Sequence, residues 1–348
     1  VWRTRGHEGA VELLTSSLAQ DRVSHAYLIT GPERIGKSAL ARELAMALNC
    51  TAWQGEAQPT LFGAADPPPQ AEPGPCYECS SCLKALAGSH PDLLAIEQWT
   101  TERGSMTDQV RAIQYGAGLL PFEGRRKVYL LLNAEEMTPA AQNTLLKTLE
   151  EPAQTVCLIL TAPTPRALLP TVVSRCQHIQ LRPPSAEAIA AALEETGTVE
   201  PEQARSLAAL AAGRIGWALA AAADPSLLDQ RQAALDALGQ AFRGGTVQRF
   251  RLAEALASSG DEATDDALEL WLGWLRDLLL VSEGLPDRVV NRDQLPALET
   301  AAAQLGSRHV QQAIRAVQAA RAQVDSAINT RMSLEVLMLR LPAAGPLG

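Results

Sequence analysis

The chain reads as an α/β nucleotide-fold protein: a mainly parallel five-stranded sheet, then a small helical unit, then an all-α C-terminal domain. Three observations predict this. A glycine-containing loop, Gly31-Pro32-Glu33-Arg34-Ile35-Gly36-Lys37-Ser38, separates an apolar run from a helical pattern. Apolar runs and helical stretches alternate from His25 to about Pro184, the rhythm of a parallel sheet with crossover helices. From Ser226 to Leu341 the sequence is rich in Ala and Leu with helical periodicity. With 348 residues, 47% of them hydrophobic, there is material for two or three domains with real cores. The expected divisions are 1–183, 184–224 and 225–348.

The first elements define a phosphate-binding loop. Ala26-Tyr27-Leu28-Ile29-Thr30 reads as a buried strand and Ser38 to Leu48 as a helix. The loop between them fits G-x-x-x-x-G-K-[ST]. In that pattern the glycines let backbone N–H groups approach phosphate oxygens, the lysine reaches the β/γ-phosphates and the hydroxyl ligates magnesium. Phosphate would also meet a helix N-terminus. Gly31, Gly36, Lys37 and Ser38 are therefore the candidate contacts for ATP or ADP.

A strand further on, Lys127-Val128-Tyr129-Leu130-Leu131-Leu132-Asn133, ends without the acids that hydrolysis uses. Hydrolysis needs one carboxylate to hold magnesium through water and another to orient the attacking water; Leu132 and Asn133 stand there instead. Glu135 and Glu136 lie beyond the apolar run and read as a solvated turn, with recruitment of either as a substitute acid as the alternative. Slow or absent hydrolysis is expected.

Between these segments, Cys50, Cys76, Cys79 and Cys82 give C-x25-C-x2-C-x2-C. Two-residue gaps let thiolates converge on one tetrahedral zinc, while a long loop delivers the first ligand from elsewhere. An all-sulfur site leaves no open position for a catalytic water, so the zinc would be structural. A DNA-reading finger would need a basic recognition helix after the ligands, and Leu83-Lys84-Ala85-Leu86-Ala87-Gly88-Ser89-His90 supplies one lysine and one histidine. The stretch from Gln54 to Pro75, with Pro67-Pro68-Pro69, has no periodicity and reads as a flexible surface excursion. Cys157, inside an apolar strand, reads as a small hydrophobe.

The remaining strands of the sheet are expected at residues 92–96, 128–132, 156–161 and 178–181. Thr138 caps a helix with Pro139 in its first turn, leading into Asn143-Thr144-Leu145-Leu146-Lys147-Thr148-Leu149-Glu150-Glu151-Pro152. Leu145, Leu146 and Leu149 share its apolar face. Leu168-Leu169-Pro170-Thr171-Val172-Val173-Ser174-Arg175-Cys176-Gln177 places an arginine just before the last strand. Arg182-Pro183-Pro184 ends the α/β part. Ser185 can cap a helix from Ala186 to Thr196, followed by helices at 201–212 and 215–223. Breaks at Gly244-Gly245, Gly260, Gly284-Leu285-Pro286 and Gly306 divide the rest into four to six helices.

A net charge of −9 and a pI near 5.2 argue against a protein that grips DNA over its whole surface. The first residues lack the apolar core of a signal peptide, and no run of about 20 apolar residues suggests a membrane span. Trp271 to Val281 comes nearest but carries Arg276 and Asp277. The expected location is the cytoplasm, where clustered cysteines favour metal over disulfides.

The phosphate loop, the four-cysteine module, Leu145 to Pro152 and Ser174-Arg175-Cys176, in that order, resemble the bacterial clamp-loader family of AAA+ proteins. The resemblance runs from Gly6-His7 to about Leu219; from Ser226 onward only length and helicity agree. It implies an AAA+ sheet domain, a helical lid and a helical collar for assembly. It further implies that Arg175 acts as an arginine finger toward ATP on a neighbouring subunit, neutralising charge that develops on the γ-phosphate. The acidic pair of the hydrolysing gamma/tau subunits aligns with Leu132 and Asn133. Their lid arginine falls near Gly216 in Gly213-Arg214-Ile215-Gly216-Trp217, with Arg214 close by. Both departures favour a subunit that hydrolyses ATP poorly or not at all. The implied partners are the gamma/tau motor subunits and the delta subunit, with the sliding clamp and primed DNA as targets and no membrane. An active gamma/tau-like ATPase is one alternative, and a zinc-stabilised DNA-binding regulator is another. The insertion from Gln54 to Pro75 departs from the family pattern.

Overall fold

In the computed structural model, residues 1–53, 59–60, 63–64, 72–99, 105–325 and 329–342 are described. The strands in chain order are β1 (Ala26–Thr30), β2 (Pro59–Thr60), β3 (Gly63–Ala64), β4 (Leu93–Ile96), β5 (Lys127–Leu131), β6 (Val156–Ala162) and β7 (Gln177–Gln180). Five of them form one parallel sheet in the order β4-β5-β6-β1-β7, while β2 and β3 pair with each other. Register places Thr30 beside Ala162 on one side and Gln180 on the other. The five sheet strands lie where the apolar runs predicted them. Most of the excursion at 54–75 lies outside the described residues.

Strand β1 shows why these runs are apolar throughout rather than alternating. Tyr27 and Ile29 pack with Leu14, Leu40 and Leu44 on one face, and Ala26 and Leu28 with Val110, Ile113, Leu145 and Leu149 on the other. A sheet covered on both faces needs side chains that bury in both directions. The covering helices are α1 (Glu8–Ala19), α2 (Lys37–Leu48), α4 (Met106–Ala117), α5 (Pro139–Glu150) and α6 (Pro170–Val173), while α3 (Ser80–Leu86) packs against α2. Helix α5 starts as its sequence demands: the Ala141 N–H donates to Thr138 Oγ1 at 3.2 Å, and Pro139 fills a position where an N–H has no partner.

Next come α7 (Ala186–Glu195), capped by Ser185 Oγ at 3.2 Å from the Ala188 N–H, α8 (Pro201–Ala211) and α9 (Ile215–Ala223). By contacts the chain forms two compact units, residues 1–195 with 213–217 and residues 196–212 with 218–348.

The second unit continues through α10 (Ser226–Arg243), α11 (Thr246–Ser258), α12 (Asp261–Ser282), α13 (Leu295–Gln304), α14 (Ser307–Asp325) and α15 (Thr330–Arg340). Leu268, Trp271, Leu275, Leu298, Val317 and Leu334 centre its core. The charged pair in the apolar run of α12 has a specific use. Asp277 is fully buried and accepts hydrogen bonds from the Val290 and Asn291 N–H groups and from Asn291 Nδ2, which fixes the turn before α13. Among the described residues no helix is long and apolar enough to cross a membrane.

Candidate functional site

The phosphate loop leaves the carboxyl end of β1, the edge of a parallel sheet where α/β proteins place their ligands. The Gly31 N–H donates to Ala162 O of β6, and Gly36, at φ 109°, turns the chain into α2 in a conformation that excludes a β-carbon. Lys37 is buried, and its Nζ donates to Gly31 O at 2.8 Å and Pro32 O at 2.9 Å. These two bonds hold the ammonium over the loop. Ser38 follows in the first turn of α2, half-buried.

Two groups outside the motif hold the loop from behind. His7 is buried with Nε2 2.7 Å from Ile35 O, and the Gly216 N–H donates to Arg34 O at 2.8 Å. A β-carbon on Gly216 would also stand 2.8 Å from that carbonyl, so the approach needs glycine. The resemblance singled out Gly216 as the place of a missing arginine; the packing adds that a side chain has no room there. His7 carried no local signal beyond lying at the start of the resemblance.

At the end of β5, Leu132 is buried in the core and Asn133 adopts a left-handed φ of 50°, its N–H donating to Thr161 Oγ1 of β6 at 3.0 Å. The short 3-10 turn Ala134–Glu136 follows. It differs from the solvated turn expected from sequence. Glu136 is exposed, but Glu135 is half-buried, and its Oε2 is buried without a hydrogen-bond partner. Burial pushes the Glu135 carboxyl above its usual range, against its attraction to Lys37.

The four cysteines converge as their spacing predicted. Their sulfurs all lie within 4.8 Å of one another, with Cys76 to Cys82 at 3.9 Å and Cys50 to Cys79 at 4.0 Å. Tetrahedral thiolates about 2.3 Å from a zinc ion would stand nearly that far apart. Backbone N–H groups of Cys79 and Glu78 point at Cys76 Sγ, and that of Cys82 at Cys79 Sγ, which favours thiolates. The module is tied to α2 through Glu43, which accepts from Tyr77 Oη and from the Arg3 and Thr4 N–H groups, while Arg3 lies 3.8 Å over the Tyr77 ring. His90 is no surface reader of bases: it is buried, 3.1 Å from Ser81 Oγ, and its Nδ1 accepts the Asp92 N–H. Cys157 is wholly buried, and burial raises its thiol to about 12, as a small hydrophobe requires.

Arg175 lies between α6 and β7, at the amino edge of the sheet. Strand β7, whose four residues span about 13 Å, separates it from the edge that carries the phosphate loop. The guanidinium pairs with Glu150 of α5 at 2.7 Å and donates to Thr171 O at 2.9 Å.

A phosphate loop on one sheet edge, an arginine on the other and a four-thiol cluster beside α2 define a phosphate-loop protein with an added cysteine module. The sequence model described as "DNA polymerase III, delta subunit" matches residues 6–185, and that of "DNA polymerase III, delta subunit, C terminal" matches residues 225–342. The chain belongs to the DNA polymerase III delta subunit family, and its relatives put it with the delta-prime subunits of the clamp loader. It is 28% identical over 333 residues to DNA polymerase III subunit delta' of Bacillus subtilis, covering 95% of this chain and 94% of that one. To subunit delta' of Pseudomonas aeruginosa it is 38% identical over 191 residues, 55% of this chain and 53% of the relative. Subunit tau of Escherichia coli is 30% identical over 370 residues, 98% of this chain and 53% of tau. The chain thus spans nearly all of the first relative and about half of the other two.

Proposed function

We propose that the chain is a delta-prime-like clamp-loader subunit whose work is to present Arg175 to ATP bound on a neighbouring gamma/tau motor subunit. The observation that carries this reading is the position of Arg175 on the sheet edge opposite its own phosphate loop. A guanidinium placed there cannot serve the nucleotide of its own chain and is available to a neighbour's. Delta completes the set of partners, and the sliding clamp and primed DNA are the targets of the cytoplasmic complex.

In this reading Gly31, Gly36, Lys37 and Ser38 hold ATP or ADP within an AAA+ domain, with α7 to α9 as its lid and the helices from α10 onward as the collar. Backbone N–H groups and the Lys37 ammonium supply the binding. Asn133 cannot accept a proton from water as a carboxylate can, and the Gly216 contact leaves no room for a lid arginine, so turnover by this chain alone is slow or absent. Cys50, Cys76, Cys79 and Cys82 would hold a structural zinc that locks the module onto α2; the donor set and the sulfur separations fit that ion.

One observation favours the rival gamma/tau-like ATPase: Glu135 carries a buried oxygen and lies within the field of Lys37. Steady-state ATP hydrolysis separates the readings. The chain alone is expected to show negligible turnover, and mixing it with the motor subunit should give Arg175-dependent stimulation. Lys37-dependent turnover by the chain alone would overturn the proposal in favour of the ATPase.

A further inference from the structure

The end of β5 and the phosphate loop are fastened to the same place. The Asn133 N–H donates to Thr161 Oγ1 and the Gly31 N–H to Ala162 O, consecutive residues at the carboxyl end of β6, the strand between β5 and β1. The turn at 134–136 and the loop at 31–38 therefore flank one strand end. Leu132 offers no donor atom for a cation, and Asn133 is exposed and neutral.

Glu135, half-buried, differs from the buried carboxylates Asp92 and Asp277. Asp92 accepts three backbone N–H groups, from Phe122, Glu123 and Gly124, and Asp277 accepts three donors from residues 290 and 291. Both are structural anchors, and every buried oxygen of each is matched by a donor. Glu135 is half-buried, and its Oε2 is buried without a hydrogen-bond partner. An unmatched buried carboxylate oxygen is costly and needs a reason, such as a cation or its water.

We propose that Glu135 is the carboxylate that receives the divalent cation of a nucleotide bound at the phosphate loop, in place of the acid missing at Leu132. This rests on the nucleotide-binding reading above and goes beyond it by assigning the cation a ligand in this chain. Glu135 replaces one of two acids. With Asn133 in the position of the second, the nucleotide is held together with its magnesium and is not turned over.

The test is equilibrium titration of the full chain with a fluorescent ADP analogue, with magnesium and with excess EDTA, for wild type, Glu135→Gln, Glu136→Gln and Lys37→Ala. Magnesium is expected to tighten binding by the wild type about tenfold, the scale on which losing one carboxylate near a metal is felt. Glu135→Gln should keep the magnesium-free affinity and lose the enhancement, while Glu136→Gln behaves as wild type. Thermal unfolding adds an independent readout. Removing an unpaired buried charge should leave the apo Tm unchanged or higher, whereas a fall would mean that Glu135 is a structural anchor and overturn the proposal. Equal magnesium enhancement in wild type and Glu135→Gln would overturn it while leaving nucleotide binding intact. Absent binding, or binding indifferent to Lys37→Ala, would remove the nucleotide reading itself and this inference with it.

Discussion

Arg175 rests on Glu150: guanidinium Nη2 and carboxylate Oε1 are 2.7 Å apart at the amino edge of the sheet, with both side chains partly exposed. An exposed pair of this kind contributes about 0–1 kcal/mol, weak enough to exchange for a phosphate oxygen brought by another subunit. In the proposed role, Glu150 would hold the arginine ready without trapping it. Arg175→Ala is expected to leave assembly with the motor and delta subunits intact, as checked by sizing. It should lower DNA- and clamp-stimulated hydrolysis at the served site by as much as about 10³-fold. Glu150→Gln should preserve or raise that rate. An unchanged rate for Arg175→Ala in a fully assembled complex would remove the arginine from the mechanism.

The cysteine cluster predicts one zinc per chain by elemental analysis, lost on Cys82→Ser. Stability should fall by less than the roughly 10–16 kcal/mol that zinc supplies to domains with no other core, because Cys50 already stands just beyond the buried end of α2. Binding requires thiolates, so zinc should be released as the pH is lowered, and a competitive chelator titrated across pH would record it. A wild-type chain without zinc, together with full stability in Cys82→Ser, would mean that the sulfurs gather for packing alone.

Asp92 anchors the turn at 122–124. Burial alone would raise its carboxyl, but the N–H groups of Glu123, Gly124 and Phe122 prevail and hold it below the usual carboxylate range. A pKa lower in the folded than in the unfolded chain gives stability that is fully present above the unfolded value near 3.9 and is lost as pH falls through the folded one. Asp92→Asn should therefore cost about 1–3 kcal/mol at neutral pH, and its deficit against wild type should shrink below about pH 4. Urea unfolding at several pH values measures both. A deficit that stays constant into acid would assign the effect to shape rather than charge.

Restoring an arginine at Gly216 should not make this chain an ATPase. Its β-carbon would meet Arg34 O at 2.8 Å and break the bond that the Gly216 N–H makes there. Gly216→Arg is expected to weaken nucleotide binding and lower the Tm, with no gain in turnover. Gly216→Ala should show most of the same loss, because the first added atom already collides.

The parts legible in the sequence are those whose signals are local. Five apolar runs gave five strands, with β4 starting at Leu93 and the carboxylate of Asp92, one residue earlier, turned to the loop at 122–124. Two-residue gaps gave the cysteine cluster, and glycines gave the breaks between α10, α11 and α12. What escaped is what distant segments decide together. His7 meets Ile35 across 28 residues, and Glu150 meets Arg175 across the whole of β6. The isolation of Glu135 Oε2 exists only once the turn has been pressed against its neighbours. Asp277 counted as an ordinary charge until the turn before α13 closed over it.

The opposite placement of Arg175 and the phosphate loop has a consequence for symmetry. Where the group a module gives and the pocket it offers serve two different neighbours, the copies are not paired about a twofold axis. They associate head to tail, and such a row continues until a member lacks one half of the exchange. A subunit with an arginine to give, and a pocket packed too closely for the matching lid residue, has a direction. In the proposed assembly it is a terminus, and the row it ends is left open on one side.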